Sequence, residues 1–264
     1  MSSVVADLHV HTTRSDGTIE PERIPEVAAD HGCRAIAVTD HDRLPPWGAP
    51  VVELEGVLCI AGIELRVETE GAGRVDLLAY GVRSTPALVA ELERLQRNRV
   101  ERARAMVERL EDTLGIDLGV DPQPGIGRPH IARATAAATD LDYQSVFDRY
   151  IGDDGPCYVP RDVTDFDEGV DLLEEAAEAV VLAHPLRYPY LEAALALVDR
   201  LDGLEYVYPY EDAIGHDRLD RFLEGRDLLR TGGSDAHTHE EVARAGLDAT
   251  GFEPVARRLG IAVD

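Results

Sequence analysis

The chain has 264 residues, of which 44% are hydrophobic; this is enough for a buried core and excludes a disordered protein. All 26 basic residues are arginine, and the 51 acidic residues bring the formal net charge to −25 at pH 7. Such a surface repels anionic membranes and nucleic acid at long range, so we expect no membrane partner and no stable duplex nucleic acid partner. No apolar run reaches the roughly 18 residues of a membrane span, and the first residues show no signal-peptide pattern. We therefore expect a cytoplasmic protein, and the acidic surface indicates a halophile, in which salt screens the repulsion between carboxylates.

Short apolar runs alternate with helical patterns along most of the chain. The predicted strands cover residues 4–8, 35–38, 57–60, 75–78, 180–183, 204–207 and 228–231. The predicted helices cover residues 21–31, 86–114, 129–138, 166–179, 190–202, 219–224 and 239–245. Alternation of this kind predicts an α/β fold with a parallel sheet, and about 250 residues suit a barrel. Seven strands instead of eight predict a barrel that is incomplete or distorted.

One long stretch interrupts this alternation. Residues 86–160 contain helices and the Pro/Gly-rich joints GVDPQPGIG and IGDDGP, but no convincing strand. We interpret this stretch as a helical insertion between two strands of the barrel. The predicted organisation is therefore a first barrel part over 1–85, an insertion (cap) domain over 86–160, and a second barrel part over 161–264.

Histidines and acids follow the ends of the predicted strands. His9 and His11 are two residues apart on the first strand, so their imidazoles share one face, as ligands of a transition metal do. The C-terminal ends of parallel barrel strands converge on one face, where active sites form, so we expect the residues at these ends to meet. Further residues of this kind at the ends of the second, third, fifth and seventh predicted strands are Asp40, His41, Glu64, His184, Asp235 and His237.

The blocks DLHVHTTRSDGT, AVTDHD, GIEL, LAHP and GGSDAH resemble the signature blocks of the PHP (polymerase and histidinol phosphatase) superfamily over nearly the whole chain. The block GRPHIARA is similar to that of the small, TrpH-like PHP phosphoesterases, which act on nucleotides or on RNA 5′ ends. The resemblance implies a distorted (β/α)7 TIM-like barrel with a helical insertion and two or three divalent metal ions, Mn, Zn or Fe. The residues that match ligand positions of the family are His9, His11, Asp16, His41, Glu64, His184, Asp235 and His237.

The fourth predicted strand departs from the family pattern. Where relatives have a histidine in a pattern like V-H-I-L-G-Y, this chain has Asp76 in VDLLAY. A carboxylate suits hard ions such as Mn²⁺, so Asp76 is added to the expected ligands, and whether a third metal binds is left open. Because an ionised acid that points into the site is costly without a cation, we expect a metal or an arginine beside Asp76. Asp40, His41 and His237 are assigned to the catalytic machinery, with Asp40 fixing the orientation of ligands.

Two sets of basic residues are candidates for binding substrate. Arg128 and His130 in GRPH resemble the phosphate-binding pair of the subfamily, and arginine suits bidentate phosphate recognition. The alternative is a helix start with a surface histidine. Arg99 and Arg102 belong to an arginine-rich run on the helix 86–114 that could guide a polyanion. Glutamates at helical pairing distance favour an ordinary solvated face for that run instead.

The implied activity is that of a phosphoric ester hydrolase. A hydroxide bridging two ions would attack a phosphate ester of a nucleotide or of an oligonucleotide 5′ end. The alternatives are a histidinol-phosphate phosphatase, which shares the barrel, and a non-catalytic PHP module that only binds metal. The insertion with GRPH favours the nucleotide-type enzyme, and the near-complete ligand set argues against the module. The sequence leaves the oligomeric state open.

Overall fold

The computed structural model describes residues 3–210 and 215–262, which adopt a mixed α/β fold with one large sheet. Its strands are β1 Ala6–Val10, β2 Ala35–Val38, β3 Val51–Leu54, β4 Val57–Thr69, β5 Gly73–Tyr80, β6 Thr164–Asp165, β7 Ala179–Leu182, β8 Gly203–Val207 and β9 Leu229–Gly232. Its α-helices are α1 Ile24–Asp30, α2 Pro86–Leu114, α3 Arg128–Ala138, α4 Tyr143–Val146, α5 Phe166–Ala176, α6 Leu191–Leu197, α7 His216–Leu223 and α8 Ala249–Arg258. None of the helices in these ranges combines the length and apolarity that crossing a membrane requires.

The strand order is β1-β2-β4-β5-β7-β8-β9, and both β3 and β6 pair with β4. The pairs β1–β2, β2–β4, β7–β8 and β8–β9 are parallel, as predicted. The prediction of a parallel sheet is wrong at β3, which runs antiparallel to β4, and at β5, which runs antiparallel to both β4 and β7. Only the residues between Thr69 and Gly73 connect β4 to β5, and a connection this short reverses the chain, whereas a parallel crossover needs a dozen residues or more.

Two further predictions of secondary structure need correction. The third predicted strand ends at residue 60, but β4 continues to Thr69, so Glu64 lies inside the strand and not at its end. Its second half alternates buried Leu65 and Val67 with more polar positions, which a search for apolar runs overlooks. The predicted helix 239–245 is only a 3₁₀ turn, His239–Glu241, and α8 was not predicted.

The core lies on both sides of the parallel strands. Every residue of β1, β2 and β7 is buried, as expected for strands that are covered on both faces. One cluster gathers Leu8, Ile60, Tyr80 and Phe252, and a second packs the apolar face of α1 against β2. This packing fixes the strands and therefore the side chains at their ends.

The strands β1 and β9, at the two ends of the strand order, approach each other. Val10 forms a parallel bridge with Ala236, just after β9, and Leu247 pairs with Ala6 at the other end of β1. Gly233 lies so close to the backbone of His9 that a Cβ atom there would overlap it. The described residues form no continuous hydrogen-bonded ladder between β1 and β9. The structure therefore confirms an α/β fold with a mixed sheet, and closure into a barrel stays a prediction.

Contacts divide the chain into two compact units, 1–89 together with 164–264, and 90–163. The first unit contains the whole sheet. The second unit is helical and has its own core, in which Met106 and Leu110 of α2 pack with Ile131 of α3, Val146 and Ile151.

Candidate metal centre

The sheet unit brings all nine predicted metal ligands together in three groups, two of which share His11. Within each group every residue offers one ligand atom, and these atoms lie within 4.8 Å of one another. Nitrogen and carboxylate ligands in such clusters suit divalent ions of the Mn, Fe and Zn type. The groups are His11, Asp16, His41 and His237; His9, His11 and Asp235; and Glu64, Asp76 and His184.

Glu64 lies between the three groups. Its Oε1 is 3.1 Å from Nε2 of His184 and 3.6 Å from Nε2 of His9. Its Oε2 is 3.4 Å from Nε2 of His11 and 2.8 Å from Nδ1 of His41. One buried carboxylate therefore contacts members of every group, so it could ligate a metal ion together with any of them.

The local backbone explains why these side chains converge. His9 lies on the buried strand β1 and His11 follows its last residue, Val10, so the two imidazoles are two residues apart and point to the same side. His184 follows β7 with φ 26°, and Asp235 follows β9 with φ 53°. Neither residue is glycine, so both left-handed conformations are strained, as is common where a fold holds functional groups in place.

Two buried aspartates hold the loops that carry the ligands. Asp40 accepts hydrogen bonds from the backbone N–H and hydroxyl of Thr12 and from the hydroxyl of Ser15, in the loop that leads to Asp16. Asp7 accepts from the backbone N–H and hydroxyl of Ser234 and from the N–H of Ala243, which anchors the segment after β9. Asp40 is in none of the three groups and acts through the loop.

Glu205 on β8 is a functional residue that the sequence reasoning missed. Its Oε1 lies 3.0 Å from Nδ1 of His9, and its Oε2 accepts a hydrogen bond from the backbone N–H of His184 at 2.8 Å. Because a carboxylate only accepts, Nδ1 of His9 carries a proton, and Nε2 is the nitrogen that would ligate a metal ion. That Nε2 is buried and makes no hydrogen bond to any residue in the described ranges, which is the arrangement of a metal-ligating histidine. The signal was an acid inside an apolar strand, Leu204-Glu205-Tyr206-Val207.

The charges in the centre also fit cations. Burial alone would lower the pKa of His237, but the hydrogen bond and charge of Asp16 raise it to about 9. Burial alone would raise the pKa of Asp16 and Asp235, yet the neighbouring imidazoles hold both well below their usual range. Burial and then the charge of His237 lower the pKa of His11. Carboxylates that stay ionised in a buried cluster call for compensating positive charge.

Aromatic and basic residues outside the predicted set surround the centre. The hydroxyl of Tyr208 donates to Oδ2 of Asp235 at 2.9 Å, and the guanidinium of Arg187 donates to the hydroxyl of Tyr208. Arg66 on β4 forms two hydrogen bonds with Asp76, of 2.7 and 2.6 Å. The expectation of a metal or an arginine beside Asp76 is therefore met by an arginine.

The predicted substrate-binding residues lie in the helical unit, where each has a contact within that unit. Arg128 pairs with Asp153 at 2.7 Å, and Nδ1 of His130 accepts from the N–H of Gly127 at the start of α3. Arg102 donates to the carbonyl of Val159 at 2.6 Å. Arg99 is buried, at 6% exposure, and lies 3.5 Å from the carbonyl of Ile126. Binding of phosphate by these four residues stays a prediction.

Comparison with known proteins agrees with this geometry. Residues 7–81, which include His9, His11 and the β4–β5 pair, match the family described as the PHP domain. Residues 7–81 form a PHP domain. The chain is thus a hydrolase, a phosphoesterase of the PHP type.

Three relatives match most of the chain at low identity. The chain is 27% identical to a 3′,5′-nucleoside bisphosphate phosphatase of Chromobacterium violaceum, over 96% of this chain and 94% of the relative. It is 29% identical to a phosphoribosyl 1,2-cyclic phosphate 1,2-diphosphodiesterase of Eggerthella lenta, over 89% and 94% of the two chains. It is 27% identical to a 5′-3′ exoribonuclease of Haemophilus influenzae, over 88% and 89%. A crystal structure of a metal-dependent phosphoesterase from Bifidobacterium adolescentis has a TM-score of 0.81 and 26% identity, covering 98% of this chain and 96% of that one.

Proposed function

We propose that this PHP protein hydrolyses a phosphate ester of a nucleotide or of an oligonucleotide 5′ end with the help of divalent metal ions. The observation that carries the proposal is the convergence of buried histidines and carboxylates around Glu64, with Nε2 of His9 left to ligate. Two of the three groups share His11, and their members are His9, His11, Asp16, His41, Asp235 and His237. Glu64 of the third group contacts His9, His11 and His41 and is proposed as a further ligand.

The side chains in and around the metal centre have different proposed roles. Bound divalent ions would activate a water as the nucleophile and neutralise the charge of the phosphoryl oxygens. Glu205 and Asp7 fix His9 and the loop of Asp235, and Asp40 fixes the loop of Asp16. His41 and His237 are the most exposed imidazoles of the centre, at 18% and 30%, so they are proposed to face the substrate.

The substrate class rests on the relatives and on the helical unit. The three relatives above act on phosphate esters of nucleosides, of phosphoribose or of RNA, by their names, and cover most of this chain. A free nucleotide and an oligonucleotide 5′ end share a phosphate beside a ribose. Arg128 and His130 are proposed to bind that phosphate, with Arg99 and Arg102 guiding a longer polyanion.

The sheet is further proposed to be the distorted (β/α)7 barrel of the family, with residues 86–160 as its helical insertion. The bridge between Val10 and Ala236 and the contact of Gly233 with His9 support closure between β1 and β9. A barrel would explain why ligands from six strands or strand ends meet on one face.

A substrate panel tests the proposed function. Protein treated with a chelator and then supplied with Mn²⁺ is incubated with adenosine 3′,5′-bisphosphate, a 5′-phosphorylated oligoribonucleotide, histidinol phosphate and an aryl phosphate. We expect Mn²⁺-dependent hydrolysis of at least one nucleotide substrate at a higher kcat/KM than of histidinol phosphate. Preference for histidinol phosphate would replace the proposed substrate, and ion binding without any hydrolysis would indicate a non-catalytic module.

A further inference from the structure

The ion pair of Arg66 and Asp76 stands where a third metal would be held. The two residues are directly opposite each other in the antiparallel pair of β4 and β5. Nε of Arg66 donates to Oδ1 of Asp76 at 2.7 Å, and Nη2 donates to Oδ2 at 2.6 Å. Both carboxylate oxygens are therefore engaged by one guanidinium in the two-pronged geometry that makes such pairs strong.

Asp76 of this pair is a member of the third group of potential ligands, with Glu64 and His184. Arg66 is two residues after Glu64 on β4, so the two side chains share a face. Nε2 of His184 lies 3.1 Å from Glu64 and 3.7 Å from Oδ2 of Asp76. Asp76 is 1% exposed, so its charge cannot be left to solvent, and the arginine balances it.

A divalent ion on Asp76 would have to share the carboxylate with this guanidinium. At the usual carboxylate–metal distance, an ion on Oδ2 would lie within about 5 Å of Nη2, with little water between them to screen the repulsion. In the group of His9, His11 and Asp235, Arg187 lies 3.3 Å from Oδ2 of Asp235, but Oδ1 of that carboxylate faces Nε2 of His9 and of His11, at 3.4 and 3.2 Å. The third group differs because one guanidinium engages both oxygens of its aspartate.

We propose that Arg66 takes the place of a third metal ion, so that the protein binds two divalent ions per chain and Asp76 is not a metal ligand. This inference rests on the proposed metal-dependent function and specifies its metal centre. Arginine provides five N–H donors, and Asp76 uses two of them, so the rest of the guanidinium stays available to a phosphoryl oxygen. Arg66 is 35% exposed, which leaves it accessible to a substrate.

The chain offers a matched control for the test. Arg74 and Glu68 form the same kind of cross-strand pair in β4 and β5, two residues further along, but with side chains that are 35% and 58% exposed. The variants Arg66→Gln and Arg74→Gln therefore remove the same charge from the same strand pair. Arg66 contacts Asp76 of the third group, whereas Arg74 pairs with Glu68 outside it.

Manganese content is measured by elemental analysis after loading and removal of excess metal. We expect two ions per chain in the wild type and in Arg74→Gln, and three in Arg66→Gln, where Asp76 is released to ligate. Three ions in the wild type, or an unchanged two in a folded Arg66→Gln, would overturn the inference.

A second measurement does not depend on any variant. Anomalous scattering from crystals of the Mn²⁺-loaded wild type is expected to show ions at the groups of Asp16 and Asp235, and none bonded to Asp76. An ion bonded to Asp76 would overturn the inference. The two proposals fail separately, because hydrolysis with three bound ions refutes only the role of Arg66, and two bound ions without hydrolysis refute only the proposed function.

Discussion

Replacing Glu205 by glutamine tests the support of the metal centre without touching a proposed ligand. Glu205 is fully buried, and its two oxygens serve His9 Nδ1 and the backbone N–H of His184. Glutamine keeps the shape but has only one carboxamide oxygen. If that oxygen accepts from His184, the amide NH₂ faces Nδ1 of His9 and favours the tautomer with a proton on Nε2, which cannot ligate. If it accepts from His9, the NH₂ faces the N–H of His184.

Either arrangement removes one hydrogen bond to a charged group, which is worth about 1.5–3 kcal/mol. This corresponds to a loss of roughly tenfold to a hundredfold in metal affinity, the range found when partners of metal-ligating histidines are removed. The loss is expected in the affinity for Mn²⁺, and in kcat/KM at limiting Mn²⁺. Saturating Mn²⁺ should recover part of the activity, because no proposed ligand is missing.

The assay is a titration of chelator-treated protein with Mn²⁺, followed by calorimetry and by hydrolysis rate. Glu253→Gln on α8 is the matched control, since Glu253 is 55% exposed and pairs with Arg257 on its own helix. We expect the control to stay within twofold of the wild type. A folded Glu205→Gln variant with wild-type Mn²⁺ affinity would refute the argument that Glu205 orients His9.

Three other predictions concern the centre and the helical unit. The double variant His9→Ala/His11→Ala should lose metal-dependent hydrolysis and keep its circular dichroism spectrum; full activity would refute the metal assignment. Arg128→Ala should lower kcat/KM on the order of tenfold to a hundredfold with unchanged metal content, whereas wild-type kinetics would leave Arg128 a purely structural partner of Asp153. In metal-free protein the pKa of His237 is raised from 6.5 to about 9. Protonated His237 therefore adds to the free energy of unfolding, fully below pH 6.5, and this contribution is lost as the pH rises through about 9. The melting temperature of metal-free protein should fall over that range, and a fall of the same size in His237→Gln would contradict this reasoning.

The sequence predicted the parts of the fold that depend on local pattern. Apolar runs in the sequence coincide with strands β2 and β8, and an amphipathic run coincides with helix α2. Turn-forming residues mark the ends of these runs. His9 and His11 could be placed on one face because the side-chain period of a strand is fixed. The convergence of Asp235 and His184 with them follows from the shared direction of the strands that precede these residues.

The parts that escaped prediction depend on tertiary contacts. The direction of β5 is set by the short turn after Thr69. The sequence of this turn does not show that the strands on its two sides pair with each other, so the reversal could not be predicted from it. Glu205 contacts His9, and Asp7 accepts a hydrogen bond from Ser234. Both partners lie far along the chain, so local sequence could not predict either contact. The pairing of Arg66 with Asp76 needs the register of β4 and β5, which apolar patterning alone does not provide.

The claim that the protein is a metal-dependent phosphoesterase is tested most directly by one preparation assayed under three metal conditions. The assay measures the release of phosphate or nucleoside phosphate. The rate is taken on adenosine 3′,5′-bisphosphate and on a 5′-phosphorylated oligoribonucleotide as purified, after exhaustive chelation, and after addition of Mn²⁺. We expect chelation to abolish hydrolysis and Mn²⁺ to restore it, with two ions bound per chain. Hydrolysis that persists after chelation with no residual metal, or none on either substrate with Mn²⁺ bound, would contradict the account.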